Sequence, residues 1–221
     1  MSTIPLVRFE VSEQPDMLWR CVGVCERLGA AALLLALSPL LIGIAGLIVA
    51  LSGRSPLIAH RRVGRKGSEL WLLKFRTMWD RRERFALRKL AWAEYIDDCE
   101  GPGLKGPDDA RVKSRFARLC RRHSIDELPQ LLQVAIGKMS LVGPRPVTRR
   151  ELEQIYGADA GEVIQSKPGM AGLWQVSGRN RLSRFERRVL DLKLVRTRSV
   201  KLYLAILIRT VPEVLKGTNS W

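Results

Sequence analysis

The sequence predicts an α+β protein, mainly helical, in which an N-terminal membrane helix precedes a polar domain with a small β-hairpin. Three observations carry that prediction. Residues 28–51, LGAAALLLALSPLLIGIAGLIVAL, form a run of 24 positions without a charge. Residues 55–78, SPLIAHRRVGRKGSELWLLKFRTM, set two apolar-rich runs around GRKGS, whose glycines suit a hairpin turn. From residue 80 on, helical segments alternate with Gly/Pro-rich stretches. The division falls after residue 53, with 1–53 as the membrane element and 54–221 as the polar domain.

As a straight helix the uncharged run extends about 36 Å, enough to cross a hydrocarbon core of about 30 Å. A cleaved leader fits poorly: the run starts late, is too long, and leads into Arg54 rather than a small-residue cleavage site. Pro39, near the middle, removes a backbone hydrogen bond and kinks a helix. Both flanks are cationic, with Arg20 and Arg27 before and Arg54, Arg61, Arg62, Arg65 and Lys66 after, so charge asymmetry gives no orientation. Two arrangements stand open on these grounds. One is a spanning helix with a tolerated proline. The other is a re-entrant helix–break–helix turning at Ser38-Pro39, with the Ser38 hydroxyl as a partner for a freed carbonyl.

Within the domain, residues 80–98 read as a helix with an arginine-rich face, and EGPGLKGPDDA (100–110) as a loop. Helices are expected over 114–122 and from near Asp126 to about Ile136. In GKMSLVGPRP (137–146) Pro144 and Pro146 flank Arg145 and stiffen its backbone. A helix over about 147–157 follows, then KPGMAGLWQVSGRN (167–180), glycine-rich with short extended pieces, then helices near 183–196 and 200–216. In the last, Lys201, Arg209, Glu213 and Lys216 share a narrow polar face beside an apolar run from Leu202 to Ile208. That pattern suits a helix lying on a membrane or packed under the domain.

Lys plus Arg number 38 against 22 Asp plus Glu, a formal charge of +16. The partners are therefore anionic: nucleic acid, a membrane surface or a phosphorylated substrate. Nucleic acid is set aside, because no RNP, helix-turn-helix or zinc signature occurs and such a role leaves the uncharged run unexplained. Cys21, Cys25, Cys99 and Cys120 form no CxxC pair and no pattern with the two histidines, so free thiols are expected and a structural zinc is not.

The chemistry concentrates in CRRHSIDELPQLLQ (120–133). Asp126 and Glu127 follow a dense cationic stretch that includes Arg111, Lys113, Arg115, Arg118, Arg121 and Arg122. The ordinary reading is helix capping, since Ser124 and Glu127 have capping-box spacing. A chemical reading competes with it. RRVGRKG, KFRT, GPRP and GRN are cationic and mostly glycine-containing, and glycine turns and arginine forks both favour phosphate oxygens. Beside a membrane element they suggest a phosphorylated substrate handled at the bilayer surface. A carboxylate there can attack a phosphoryl group and form an acyl-phosphate, given Mg²⁺ or arginine to neutralise the phosphates.

RRVGRKGSELWLLKFRTM, RRHSIDELPQLLQVAIGKMSLVGPRP and KPGMAGLWQVSGRN resemble the signatures of the bacterial sugar transferases. These are monotopic phosphoglycosyl transferases that start glycan assembly on polyprenyl phosphate. The resemblance covers nearly the whole chain, and the SIDELPQ and SLVGPRP blocks are its most specific parts. It implies a re-entrant membrane helix broken at Ser38-Pro39 and a catalytic domain on the cytoplasmic face of the bacterial inner membrane. It also implies transfer of a sugar phosphate from a UDP-sugar to polyprenyl (undecaprenyl) phosphate with release of UMP, as the first step of exopolysaccharide, O-antigen or glycoprotein glycan assembly. Asp126 aligns with the family nucleophile and Glu127 with its dyad partner, so the acidic pair is expected to be the reaction centre.

Mg²⁺ is expected on Asp126 and Glu127 together with substrate diphosphate oxygens, with Asp108-Asp109 as a rival. Arg145 is expected on the substrate phosphate, with Lys74, Arg76 and Arg179 as secondary candidates and Pro144 and Pro146 shaping the turn; the competing role for Arg145 is a structural pair with Asp126 or Glu127. Departures from the family pattern fall at Gln133, Lys138, Ala110 and Tyr203, away from the dyad; they bear on nucleotide-sugar preference and on docking of the last helix. The chain looks like the compact form, without the extra N-terminal transmembrane helices of larger members. An inactive membrane-surface scaffold is the alternative, and the intact dyad argues against it. The sugar and the oligomeric state, a homodimer included, are left open.

Overall fold

The structure, a computed structural model, describes residues 17–78, 92–97, 114–178 and 181–217. Its largest element is α1, Met17–Ser52, 36 residues long and therefore about 54 Å from end to end. No break falls at Ser38-Pro39, where one was expected: the helix runs without interruption through Pro39. Proline has no N–H to offer the carbonyl four residues back, which here belongs to Leu35. The Ser38 hydroxyl donates to that same carbonyl at 2.8 Å, so the freed acceptor is satisfied locally.

One stripe of α1 packs against the rest of the molecule. Ala30, Ile44, Ile48 and Ser52 are buried, and Leu34, Leu37 and Leu41 are partly so, at the three- and four-residue steps of one helix face. The other faces remain apolar and open: Leu28, Leu35, Leu40 and Ile42 are each more than half exposed.

The expected hairpin is present. Strands β1, Leu57–Val63, and β2, Glu69–Phe75, pair antiparallel with Leu57 opposite Phe75 and Val63 opposite Glu69. The turn between them takes left-handed backbone at Lys66, φ 55°, and at Gly67, φ 77°, the second of which suits a glycine. A third strand corrects the helix expected over 80–98. Residues Ala93–Ile96 form β3, which adds parallel to β1 to give the order β2-β1-β3. The free edge of β1 offers unpaired backbone groups, and Tyr95 packs edge-on against Trp71 at 5.1 Å; tertiary pairing overrides local helical preference. Residues 80–91 and 98, and the loop expected at 100–110, lie outside the described residues.

Helix α2, Arg115–Arg122, appears where expected. The next helix does not start at Asp126. Ser124 takes left-handed backbone at φ 54°, a 3₁₀ turn covers Ile125–Glu127, and α3 spans only Gln130–Ala135 behind Pro129. Strand β4, Ser140–Val142, leads to α4, Arg149–Tyr156, which a Thr148–Glu151 capping box opens. A short α5, Ala160–Val163, precedes β5, Gly169–Ala171, which pairs parallel with β4. Then come α6, Leu173–Val176; α7, Arg184–Arg196, with its own Ser183–Glu186 capping box; and α8, Val200–Lys216.

Helix α8 is packed under the domain, the second of its two expected placements: Tyr203 and Ile206 are buried in the core, while Leu204, Ile208, Val211 and Leu215 form an exposed apolar stripe.

Two packing centres position the site. Ala30, Leu70, Leu72, Leu131, Val134 and Met139 lock α1, β2 and α3 together. Val142, Ala171, Leu173, Leu194, Tyr203 and Ile206 join β4 and β5 to α6, α7 and α8. Between β4 and β5 the backbones approach so closely that a Cβ on Gly169 would stand 2.0 Å from the Gly143 nitrogen. Only glycine fits there, and this crossing launches the Pro144-Arg145-Pro146 turn.

Candidate active site

The dyad sits on the 3₁₀ turn between α2 and α3. The Ser124 side chain makes no cap to the turn, although Ser124 and Glu127 have capping-box spacing. Instead Lys74 Nζ, on β2, donates to Glu127 Oε1 at 2.6 Å, with both side chains about a quarter exposed. β2 thus reaches across 53 positions of sequence to place a cation on the dyad.

Asp126 is half-buried. Burial pushes its carboxyl up to about 6; the Lys74 cation opposes this, the Glu127 carboxylate adds to it, and Arg121 opposes it again. Cys120, fully buried nearby, is pushed up to about 11 by burial and by the Asp126 charge, so its thiol stays protonated. Arg121 and Cys120 belong to the site without having been singled out; both lie within the cationic run ahead of the dyad.

The position of β2 is held by a residue that looked like a mere departure from a pattern. Gln133, buried on α3, accepts from Leu73 N–H at 3.1 Å and donates to the Trp71 carbonyl at 2.6 Å. β2 is an edge strand, and this one amide satisfies two of its outward backbone groups while fixing Lys74 beside the dyad. At the other end of α3, Arg27 of α1 donates to the carbonyls of Ala135 and Ile136, a cation at a helix C-terminus.

The remaining predicted residues separate. Arg145 is exposed and places its guanidinium over the Trp174 ring at 5.2 Å; Arg187 of α7 stacks on the same indole at 4.9 Å. Below them Asp191 is fully buried and accepts from the Tyr156 hydroxyl at 2.7 Å. Pro144 is buried and its carbonyl accepts from Gly169 N–H, while Pro146 is half-buried. Arg76 is turned inward: it donates to the Ser55 carbonyl and to Glu94, tying the start of β1 to β3. Arg179 and Asp108-Asp109 lie outside the described residues. No group of three or more His, Cys, Asp or Glu that could hold a metal occurs among the described residues, so a dication there would rest on few protein ligands.

The model of the family described as bacterial sugar transferase matches residues 19–217. The chain belongs to that family. This sugar transferase is 39% identical over 193 residues to the exopolysaccharide production protein ExoY of Sinorhizobium fredii, a match covering 85% of the chain and 82% of the relative. It is 38% identical over 174 residues to the undecaprenyl-phosphate galactose phosphotransferase of Salmonella typhimurium, covering 76% of the chain but 35% of that longer protein. It is 35% identical over 208 residues to the UDP-glucose:undecaprenyl-phosphate glucose-1-phosphate transferase of Caulobacter vibrioides, covering 87% and 69%. At Tyr203 the transferase docks its last helix through a hydroxyl, which donates to Glu26 of α1 at 2.6 Å, and through an edge contact with Trp19.

Proposed function

We propose that the protein moves a sugar phosphate from a UDP-sugar to polyprenyl phosphate in two steps, with Asp126 as the nucleophile. The observation that carries this reading is a half-buried aspartate beside a Lys74–Glu127 pair and Arg121, in a family whose relatives include named undecaprenyl-phosphate sugar-phosphate transferases. An Asp126 carboxylate oxygen attacks the phosphorus that carries the sugar. The bond from that phosphorus to the bridging oxygen breaks, and UMP leaves with the electron pair. A phosphate oxygen of the polyprenyl acceptor then attacks the same phosphorus and the carboxylate departs, giving polyprenyl-diphosphate-sugar. Splitting one displacement into two lets a soluble and a lipid-held anion be served in turn.

Asp126 and Glu127 fit a magnesium ion, which prefers few carboxylates completed by phosphate oxygens and water. When bound, Mg²⁺ neutralises charge on the diphosphate. Lys74 holds Glu127 in place and keeps positive charge at the dyad. Arg145, stacked on Trp174 with its guanidinium exposed, is the phosphate-contacting candidate.

Re-entrant membrane association is part of the proposal. The same domain holds both ends of α1, through Glu26 and Arg27 near one end and through Ile48 near the other, and this supports a helix whose ends share one side of the bilayer. UDP-sugars then place the domain on the cytoplasmic face of the inner membrane.

Intact-protein mass after exposure to UDP-sugar and Mg²⁺ without acceptor tests the mechanism. Wild type gains one sugar-phosphate mass and releases one equivalent of UMP; Asp126→Asn gains nothing, and excess EDTA suppresses the gain. UMP release that requires polyprenyl phosphate, with no adduct on wild type, would establish direct transfer instead.

A further inference from the structure

A cavity of ≈ 320 Å³ lies between the N-terminal part of α1, the end of β4, the segment before β5 and the α7–α8 junction. None of Asp126, Glu127, Lys74 and Arg145 lines it. Five basic side chains do, Arg20, Arg27, Arg65, Lys167 and Arg198, against one carboxylate, Glu26. That carboxylate is already committed: its Oε1 accepts from the Ser140 hydroxyl, the Leu141 N–H and the Tyr203 hydroxyl.

The cations are unequally used. Arg27 caps α3 and Arg65 donates to the Gln165 carbonyl. Lys167 and Arg198 have no hydrogen-bond or ion-pair partner among the described residues; Arg198 only stacks on the Trp19 ring at 3.8 Å. Burial lowers the Lys167 ammonium from its usual range against the pull of Glu26, and Arg27, Arg65 and Arg198 lower it further. Five positive charges gathered in a partly dry cavity against the single carboxylate of Glu26 are the arrangement an anion relieves.

The apolar half of the wall narrows the choice of anion. Trp19, Val22, Val142 and Leu194 line the cavity beside the cations, and Trp19 lies at the start of the helix that carries the uncharged run. Tryptophan at such a position marks the level of lipid headgroups.

We propose that this cavity binds a phosphate group carried on a lipid, with Lys167 and Arg198 as donors to its oxygens and Trp19, Val22 and Leu194 against the first carbons of its chain. The site is independent of the covalent step at Asp126, so it stands or falls separately from that mechanism. Two sources share this chemistry: a polyprenyl phosphate and an anionic bilayer phospholipid.

The test measures binding to the full chain in neutral detergent, using a short-chain polyprenyl phosphate, phosphatidylglycerol and inorganic phosphate as separate probes. Wild type is compared with Lys167→Gln and Arg198→Gln, each checked by thermal melting. Losing one charged donor should weaken binding of a lipid phosphate about tenfold or more while leaving adduct formation at Asp126 unchanged. Loss confined to the polyprenyl probe identifies a polyprenyl phosphate as the occupant. Loss confined to phosphatidylglycerol identifies a bilayer lipid, and loss of both identifies headgroup recognition common to them. Wild-type binding of both lipids by folded variants overturns the proposal, and so does inorganic phosphate binding as tightly as either lipid. Should Lys167→Gln not fold, Arg198→Gln, on the exposed side of the cavity, decides.

Discussion

Asp126 has to be an anion to attack phosphorus, yet it is held where burial favours its protonated form. Its carboxyl is raised from the ordinary 3.8 to about 6, so the folded state binds the proton more tightly than the unfolded chain. The sign follows. Below the unfolded value the residue is neutral in both states and costs nothing; as pH rises toward about 6 the folded state loses stability relative to the unfolded one, and above that the loss is complete. Asp126→Asn should therefore be more stable than wild type at pH 7.5, by on the order of 1–3 kcal/mol, with the difference vanishing near pH 4. Denaturant unfolding at the two pH values checks this, and equal stability at both would show that the carboxylate is not strained. Arg145 raises a separate question. Lysine supplies the same charge but neither the fork nor the stacking plane over Trp174, so Arg145→Lys should slow UMP release about tenfold or more. A wild-type rate would assign Arg145 a packing role.

At the scale of elements, the two short parallel strands matter more than their length suggests. β4 and β5 cross through Gly143 and Gly169, and the carbonyl of Pro144 is held by Gly169 N–H. Gly169→Ala would drive a methyl group into the Gly143 backbone, which has no flexible end to give way. A loss of roughly 3 kcal/mol or more is expected, read as a lower denaturant midpoint or failure to fold. Unchanged stability would mean the crossing is loose. The spacing Gly-Pro-Arg-Pro and Lys-Pro-Gly was visible in the sequence; that the two glycines meet each other was not. The same holds for the start of α3. Capping-box spacing at Ser124 and Glu127 is a local signal, and it lost to a contact from β2, because the Lys74 ammonium offers Glu127 a charged partner.

For the molecule as a whole, the decisive feature is how α1 meets the domain. A helix of about 54 Å with one stripe buried along it and its other faces apolar is built to serve protein on one side and lipid on the others. Cysteine labelling near residue 20 and near residue 54 in intact cells should find both positions protected from a membrane-impermeant reagent outside and reactive after the cytoplasm is opened. Labelling of either from outside would overturn the re-entrant arrangement. The exposed stripe of α8 predicts the same kind of lipid contact for a second helix.

Much of this was determined by the sequence alone, because its signals are local. An uncharged run, a glycine turn, helical segments set between Gly/Pro-rich stretches, and an acidic pair in a cationic block each occupy one short window. They identified α1, the hairpin, α2, α4, α7, α8 and the dyad. Tertiary structure decided what depends on residues far apart in the chain. It placed β3 on the free edge of β1, brought Lys74 to Glu127, set Gln133 across the edge of β2, turned Arg76 inward and stacked Arg145 and Arg187 on Trp174. It also brought Lys167 and Arg198 into one cavity with Trp19. Those outcomes rest on edge hydrogen bonds, buried charge and close backbone approach, which exist only once distant segments are packed, and no short window of sequence encodes them.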